Sequence, residues 1–477
     1  MSSTITVSRW LAALVALLAF WGALDLAVLP LVRAILRRRV RRVLDEVEPR
    51  LTLRLRPFKL ARRQGLVDRL AYDSRVVEAA EEEARRRSLP LAAVMREVRR
   101  YADEIVPAFN AYVYFRFGYA LARRVARALY RVRLGSSDEA ALARVDPRAA
   151  VVFVINHRSN MDYLLVAHMV AERAALSYAV GEWARIFPLE TLIRAMGAYF
   201  VRRGSGNELY RRVLERYVAI ATAEGVTQAV FPEGGLSRDG KLRPPKLGIF
   251  DYMVRAFDPR GERDVVFVPV AVNYDRVLED RTLLLDATPG EAQPARRNPL
   301  GGTLAFLGRN LALLLRQEWR RFGYACVNFG EPLSLREFLA RRAVDDPRPL
   351  AREARAAHVA ALAEEMMARV ASVVPVLPVA LVATVFVGEP ERRWSRFEVK
   401  SAVLDLWRRL AASGARLYVP RHDQEYAVEV GVRMLTLRHL VREEGGLLAA
   451  SPADLPVLAY YANSIAHLVA RAGGAGA

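Results

Sequence analysis

This 477-residue chain has six histidines: His157, His168, His358, His422, His439 and His467. One of them stands where chemistry is expected. His157 follows the apolar run Val151 to Ile155 in the segment Asn156-His157-Arg158-Ser159-Asn160-Met161-Asp162. The run reads as a strand, and ligands bind at the C-terminal ends of strands in α/β sheets. Five residues of ideal helix turn through about 500°, about 140° off alignment. His157 and Asp162 therefore meet only with His157 in the turn and Asp162 in the first helical turn. In that arrangement the carboxylate accepts a hydrogen bond from one ring nitrogen and fixes the tautomer. The other nitrogen is left as a base for a hydroxyl proton. Taken alone, the pair reads equally well as a capping aspartate beside a loop histidine.

Three further segments carry groups suited to an anionic substrate. Gly197-Ala198-Tyr199-Phe200-Val201-Arg202-Arg203 ends a short strand in paired arginines, followed by Asn207 as the cap of a helix. Arginines beside open helix-terminal N–H groups suit a phosphate; an edge strand with a solvated basic end is the plainer reading. Phe231-Pro232-Glu233-Gly234-Gly235-Leu236-Ser237-Arg238 leaves a strand into a loop that runs through Lys241 to Lys246. Glycines 234 and 235 let the backbone approach a ligand. Only four lysines occur in the chain, at 59, 241, 246 and 400, and two fall here. Val268-Pro269-Val270-Ala271-Val272 reads as a buried strand.

Between these segments, β-branched runs alternate with helical periods: strands at 151–155, 176–180, 198–201, 227–231, 265–272 and 324–329, with helices at 161–172, 207–220 and 304–320. That alternation predicts an α/β fold, a mostly parallel sheet with helices on its faces. Residues 34–134 read as a helical basic region, 140–335 as the domain holding the site, and 350–472 as a mainly helical C-terminal domain. Gly135 to Asp138 reads as a break and 286–302 as a loop.

Composition narrows the function. Hydrophobic residues make up 53% and charged residues 26%, enough apolar content for a large core. Lys plus Arg number 72 against 52 acidic residues, a net charge of +20, which points to an anionic partner. The single cysteine, Cys326, excludes an internal disulfide, a cysteine-based zinc site and an iron–sulfur cluster. Trp10 to Val32 is apolar except for Asp25, with one arginine before it and six between residues 33 and 42. It reads as a membrane-associated or transmembrane helix within residues 1–33, with the main body on the cytoplasmic side. From Ala108 to Leu134, aromatic residues give way to arginines, a pattern suited equally to a lipid-headgroup interface and to a core-packing helix with a basic end.

Together, in this order, the four blocks between Val151 and Tyr274 resemble the glycerolipid acyltransferase superfamily. The resemblance is closest to the bacterial membrane glycerol-3-phosphate acyltransferases. His157 and Asp162 match the family's His-x4-Asp motif; Gly197, Phe200, Arg202 and Arg203 match the second block. Glu233, Gly234, Gly235 and Ser237 match the third, and Pro269 the fourth. Leu236 departs from the pattern, standing where many members carry arginine.

The resemblance implies transfer of an acyl group from acyl-CoA or acyl-carrier protein to the sn-1 hydroxyl of glycerol 3-phosphate. His157 is the base and Asp162 its orienting partner. Arg203, Glu233 and Ser237 hold the glycerol phosphate, and Pro269 shapes the acyl-donor pocket. Arg202, Arg238 and Lys246 are additional cation candidates. No metal or resident cofactor is required, and the expected site is the inner membrane with the catalytic domain facing the cytoplasm.

Other readings differ in class. The acceptor could be the 1-acyl form of glycerol 3-phosphate. A non-enzyme binding anionic lipid or nucleic acid would suit the charge, but acidic residues interleave with the arginines and no nucleic-acid motif is present, so nucleic acid is not expected as a partner. A serine hydrolase would need the second glycine of Gly-x-Ser-x-Gly, absent after Ser237.

Overall fold

The computed structural model describes residues 34, 38–40, 42–43, 45–46, 56–170, 176–181, 189–202, 206–285 and 322–474. The expected helices at 10–32 and 304–320 and the loop at 286–302 lie outside them. No described helix is long and apolar enough to cross a membrane.

At the centre is an eight-stranded sheet: β1 (Arg131–Ser137), β2 (Ala150–Ile155), β3 (Ser177–Gly181), β4 (Tyr199–Val201), β5 (Gln228–Val230), β6 (Val265–Tyr274), β7 (Tyr324–Phe329) and β8 (Leu333–Ser334). Its order is β1-β7-β6-β2-β5-β3-β4, with β8 also on β6. All pairings are parallel except those of β7 and β8 with β6. This is the mostly parallel α/β sheet expected from the alternation. β2 and β6 are buried along their whole length. Both faces of a parallel sheet are covered by other elements, so its strands carry continuous apolar runs instead of alternation. Each fully buried Val or Ile there contributes about 1.5–3 kcal/mol.

The stretch 131–134 is not helix. Helix Tyr119–Leu129 ends, and Arg131-Val132-Arg133-Leu134 pairs in parallel with Tyr324-Ala325-Cys326-Val327 as the sheet's edge. Gly135 to Ser137 continue this strand and do not break the chain; Asp138 caps the next short helix. The alternation of Arg and apolar residues is the strand period. A preceding helix and an arginine-rich composition conceal it.

Upstream, helices Arg63–Ala71, Ser74–Arg87 and Leu91–Ile105 pack on the sheet side that carries helix Glu208–Ala223. In Leu91–Ile105 the buried residues Val94, Val98, Tyr101, Ala102 and Ile105 recur with the helical period, and the helix packs against β4 and Glu208–Ala223 by that face. Asp73 ties this layer to the sheet layer by an ion pair with Arg216 at 2.7 Å.

In the C-terminal region, helices surround Pro378–Gly388. Pro378 to Ala383 and Phe386 of this helix are buried, as befits a helix apolar all round. Gly431 of helix Gln424–Leu437 lets the two helices approach: a Cβ there would lie 2.7 Å from the Pro378 carbonyl.

This region is fused to the sheet through buried polar groups. Asp275, just past β6, accepts from the backbone N–H of Tyr324 at 2.8 Å and of Val379 at 3.2 Å. Asn273 donates to the Pro375 carbonyl at 2.9 Å and to Ser464 Oγ at 3.2 Å. Gly240, in the loop after β5, has φ +86°, and a Cβ there would lie 1.9 Å from the Tyr460 carbonyl oxygen.

Candidate active site

The site begins where β2 stops pairing. The Asn156 side chain takes over from the backbone: its Nδ2 donates to the Val272 carbonyl at 3.0 Å, and its Oδ1 accepts from the Val272 N–H at 2.7 Å. With the strand tied off on β6, the chain turns outward at His157 and enters helix Asp162–Val170. The turn brings His157 Nδ1 to 2.9 Å from Asp162 Oδ2, as the spacing required.

Asp162 is completely buried and saturated. Its Oδ2 also accepts from the backbone N–H groups of Arg158 at 2.7 Å and Ser159 at 3.0 Å. Its Oδ1 accepts from the Tyr274 hydroxyl at 2.6 Å. Burial, and next the negative charge of Asp162, push the Tyr274 phenol well up, so it stays a donor. An ionised carboxylate accepts only, so Nδ1 carries a proton and Nε2 of the neutral ring is the basic atom. Nε2 is buried with no hydrogen-bond partner among the described residues. An unpartnered buried nitrogen held by an oriented carboxylate has the geometry that a general base needs.

Glu233 holds the loop from the other side. Buried itself, it accepts from the His157 N–H at 3.0 Å and the Arg243 N–H at 3.1 Å, and so clamps the histidine turn to the glycine loop. Burial pushes its carboxyl up to about 7, against the lowering effect of the His157 N–H. The Ser237 N–H donates to the His157 carbonyl at 2.9 Å, and the Ser237 hydroxyl to the Lys241 carbonyl at 2.7 Å. Both residues, expected to touch substrate phosphate, spend these groups on fixing the loop. Gly234 has φ +68°, and a Cβ on it would lie 2.6 Å from Lys246 Cδ: the lysine stem lies over it. Gly235 is buried and Arg238 exposed.

A cavity of about 420 Å3 opens beside this loop. Its apolar wall includes Phe231, Tyr163 and Ile249; Arg202, Arg211 and Lys246 supply its cations. Phe231 and Tyr163 also stand against the His157 ring, with centroids 4.3 and 5.4 Å away. The two rings thus form a partition between the histidine and the cavity.

Arg202 is not the bare cation its position after β4 suggested. It grips Glu104 through two contacts of 2.8 and 2.6 Å and lies over the rings of Tyr101 and Tyr210. The Glu104 hydrogen bond raises its pKa. Lys246 and Arg211 have no carboxylate partner among the described residues. Arg203 lies outside the described residues. Pro269 is buried inside β6, level with Val154, and lines no part of this cavity.

Sequence reasoning missed Tyr274, Asn156 and Arg211. Asn156 directly precedes His157, Tyr274 lies five residues past Pro269 on the same strand, and Arg211 lies in the first turns of the helix capped by Asn207. It also missed Glu279, which accepts from Ser159 Oγ at 2.8 Å and the Asn160 N–H at 3.2 Å. Arg158 is almost wholly buried and reaches the Ser464 carbonyl at 3.2 Å, so the C-terminal region braces the histidine turn from behind.

A mostly parallel α/β sheet thus carries an aspartate-held histidine at a strand end, beside a basic-rimmed apolar cavity. Residues 139–273 match the acyltransferase family, and residues 310–474 match the glycerol-3-phosphate acyltransferase C-terminal region. The glycerol-3-phosphate acyltransferase of Xanthomonas axonopodis pv. citri is 28% identical over 420 residues, 86% of this chain and 46% of its own length. That of Aeromonas hydrophila is 28% identical over 423 residues, covering 86% and 51%. That of Alteromonas mediterranea is 27% identical over 432 residues, covering 87% and 50%. The chain spans about half the length of the curated relatives it matches. A solved 1-acyl-sn-glycerophosphate acyltransferase from Thermotoga maritima aligns at 20% identity over 57% of this chain and 83% of its own, with a TM-score of 0.29, too low to carry weight. Over these segments the chain is similar to glycerol-3-phosphate acyltransferases.

Two predictions follow from the hydrogen bonds around Asp162 and Glu233. Tyr274→Phe removes one donor to a buried charge, worth about 1.5–3 kcal/mol. It should lower kcat about tenfold with little change in KM. An unchanged kcat would reduce Tyr274 to packing. Glu233→Gln tests linkage. A carboxyl raised from 4.5 to about 7 favours the fold fully when protonated, and that contribution is lost as pH rises through about 7. Thermal melts across this window should therefore fall less steeply with pH in the Gln variant than in wild type.

Proposed function

We propose that this chain transfers a fatty acyl group from an acyl thioester to the sn-1 hydroxyl of glycerol 3-phosphate, forming lysophosphatidate. The observation that carries the reading is the buried His157–Asp162 pair with Nε2 unpartnered, in a chain whose relatives are named for this reaction. Nε2 takes the hydroxyl proton as the alkoxide oxygen attacks the thioester carbonyl. Asp162, held by Tyr274 and two loop amides, stabilises the imidazolium that forms. The tetrahedral oxyanion collapses, the carbon–sulfur bond breaks, and the thiolate recovers the proton from His157. The N–H groups of Gly235 and Leu236 have no partner among the described residues and are the loop's available oxyanion donors. Lys246 and Arg211 sit on the cavity rim where a substrate phosphate would meet cations. Acyl-CoA and acyl-carrier protein both satisfy this chemistry as donor.

His157→Ala should lower kcat by about 10²–10⁴-fold, the usual share of a general base, in a protein that still folds but melts earlier because Asp162 loses a donor. Substantial residual turnover would overturn the assignment. The assay compares glycerol 3-phosphate, its 1-acyl form and dihydroxyacetone phosphate as acceptors with labelled palmitoyl-CoA. Faster transfer to the 1-acyl form would make phosphatidate the product.

We infer also that the chain works against an anionic membrane through the face of helix Tyr119–Leu129 and the π-helix Val113–Gly118 before it. Phe117 is 61% and Leu121 47% exposed, one turn apart, beside exposed Arg123, Arg124 and Arg127. Replacing Phe117 and Leu121 together with Asp should weaken flotation on anionic vesicles at least tenfold; unchanged flotation would remove this face from consideration.

A further inference from the structure

Away from the catalytic cavity, many arginines are neutralised by carboxylates: Arg216 meets Asp73, Arg255 meets Glu215 and Asp251, and Arg396 meets Glu443. Elsewhere arginines gather with little acidic company. Between the β1–β7 edge of the sheet and helix Gln424–Leu437 lies a second cavity, of about 490 Å3, onto which Arg131, Arg276, Arg433 and Arg438 converge. Only Arg438 has a carboxylate partner among the described residues, Asp280, and that carboxylate also accepts from the Tyr461 hydroxyl.

The cations are held in place by neutral groups. Arg131 donates to the Tyr324 hydroxyl at 3.3 Å and lies 5.6 Å over the same ring. Arg276 stacks on Phe322 at 4.2 Å. It is half-buried, and burial and then the nearby positive charge of Arg438 lower its pKa. Four guanidinium groups brought together, two of them (Arg276 and Arg438) half-buried and three (Arg131, Arg276 and Arg438) lying over aromatic rings, leave one kind of partner unsupplied, an anion with several acceptor oxygens. Along one wall Val430, Met434 and the exposed Leu437 add an apolar strip.

The position is also informative. β1 and β7 start, and β6 ends, at one end of the sheet: Arg131 is level with Tyr324, and Tyr274 with Ala325. β6 and β2 are parallel, so this is the end at which His157 stands, three strands across. Arg276 is two residues beyond Tyr274, the residue that holds Asp162.

We propose that this cavity between the catalytic sheet and the C-terminal helices is a second anion site, separate from the basic rim beside Lys246, that binds a phosphate-bearing ligand. The phosphate can come from a lipid headgroup whose chain lies on the apolar strip or from a soluble diphosphate.

The test uses the full chain, the double variant Arg131→Gln with Arg433→Gln, and a rim control, Arg211→Gln with Lys246→Gln. Inorganic pyrophosphate is titrated calorimetrically at low ionic strength, and flotation is measured on phosphatidylcholine vesicles with and without phosphatidic acid. The expected result is a pyrophosphate site weakened at least tenfold in the Arg131/Arg433 variant and retained in the rim control. Arg131→Lys with Arg433→Lys should recover most of the affinity, which separates lost charge from a lost fold. A parallel loss of flotation on phosphatidic acid vesicles identifies a headgroup as the ligand; a loss confined to pyrophosphate identifies a soluble phosphate. Unchanged pyrophosphate affinity in the Arg131/Arg433 variant, or a loss seen only in the rim control, overturns the proposal.

Discussion

A charge taken fully out of water must be met by donors, and Asp162 is such a charge. Its two oxygens accept from the His157 ring, the Arg158 and Ser159 amides and the Tyr274 hydroxyl, with no exposed surface left over. These donors come from the turn after one strand and the end of its neighbour. Satisfying one carboxylate therefore fixes the end of β2, the end of β6 and the start of helix Asp162–Val170 against each other. Breaking any of these contacts would leave a buried charge short of a donor, which costs more than the contact itself contributes.

That demand spreads outward. The Asn156 side chain ends β2 so that His157 can turn, Glu233 clamps the back of the same turn, and Ser159 leans on Glu279. The C-terminal region closes the ring of supports, reaching the histidine turn through Arg158 and Ser464 and the sheet end through Asp275 and Asn273. It supplies none of the three groups first associated with the chemistry, His157, Asp162 and the basic rim. Its contribution is the rigidity that a base within hydrogen-bond reach of its proton requires.

The sheet was legible because a strand covered on both faces is written as an unbroken apolar run, and β2 and β6 are such runs. The His157–Asp162 contact was legible because a strand end and a helix start bracket the five-residue spacing. Edge strand β1 was not, since an edge has one partner, and its Arg-Val-Arg-Leu period is short beside the helix before it. The loop contacts of Glu233 and Ser237 were not legible because a motif gives residue types and spacing, not which way a hydroxyl or carboxylate turns. Nor was the Arg202–Glu104 pair, since Glu104 lies 98 residues earlier and local sequence holds no trace of it. The supporting residues missed, Asn156 and Tyr274, act across strand pairings that only the folded sheet creates.

The two rings between His157 and the cavity bear on a competition that every acyl transferase faces. A thioester beside an active base can lose its acyl group to water as readily as to an alcohol, and water is always in excess. Here Phe231 and Tyr163 cover a histidine that is 1% exposed, so the solvent most able to waste the donor is kept from the nitrogen that would activate it. In the proposed reaction the packing of these two side chains would therefore limit the water that reaches Nε2.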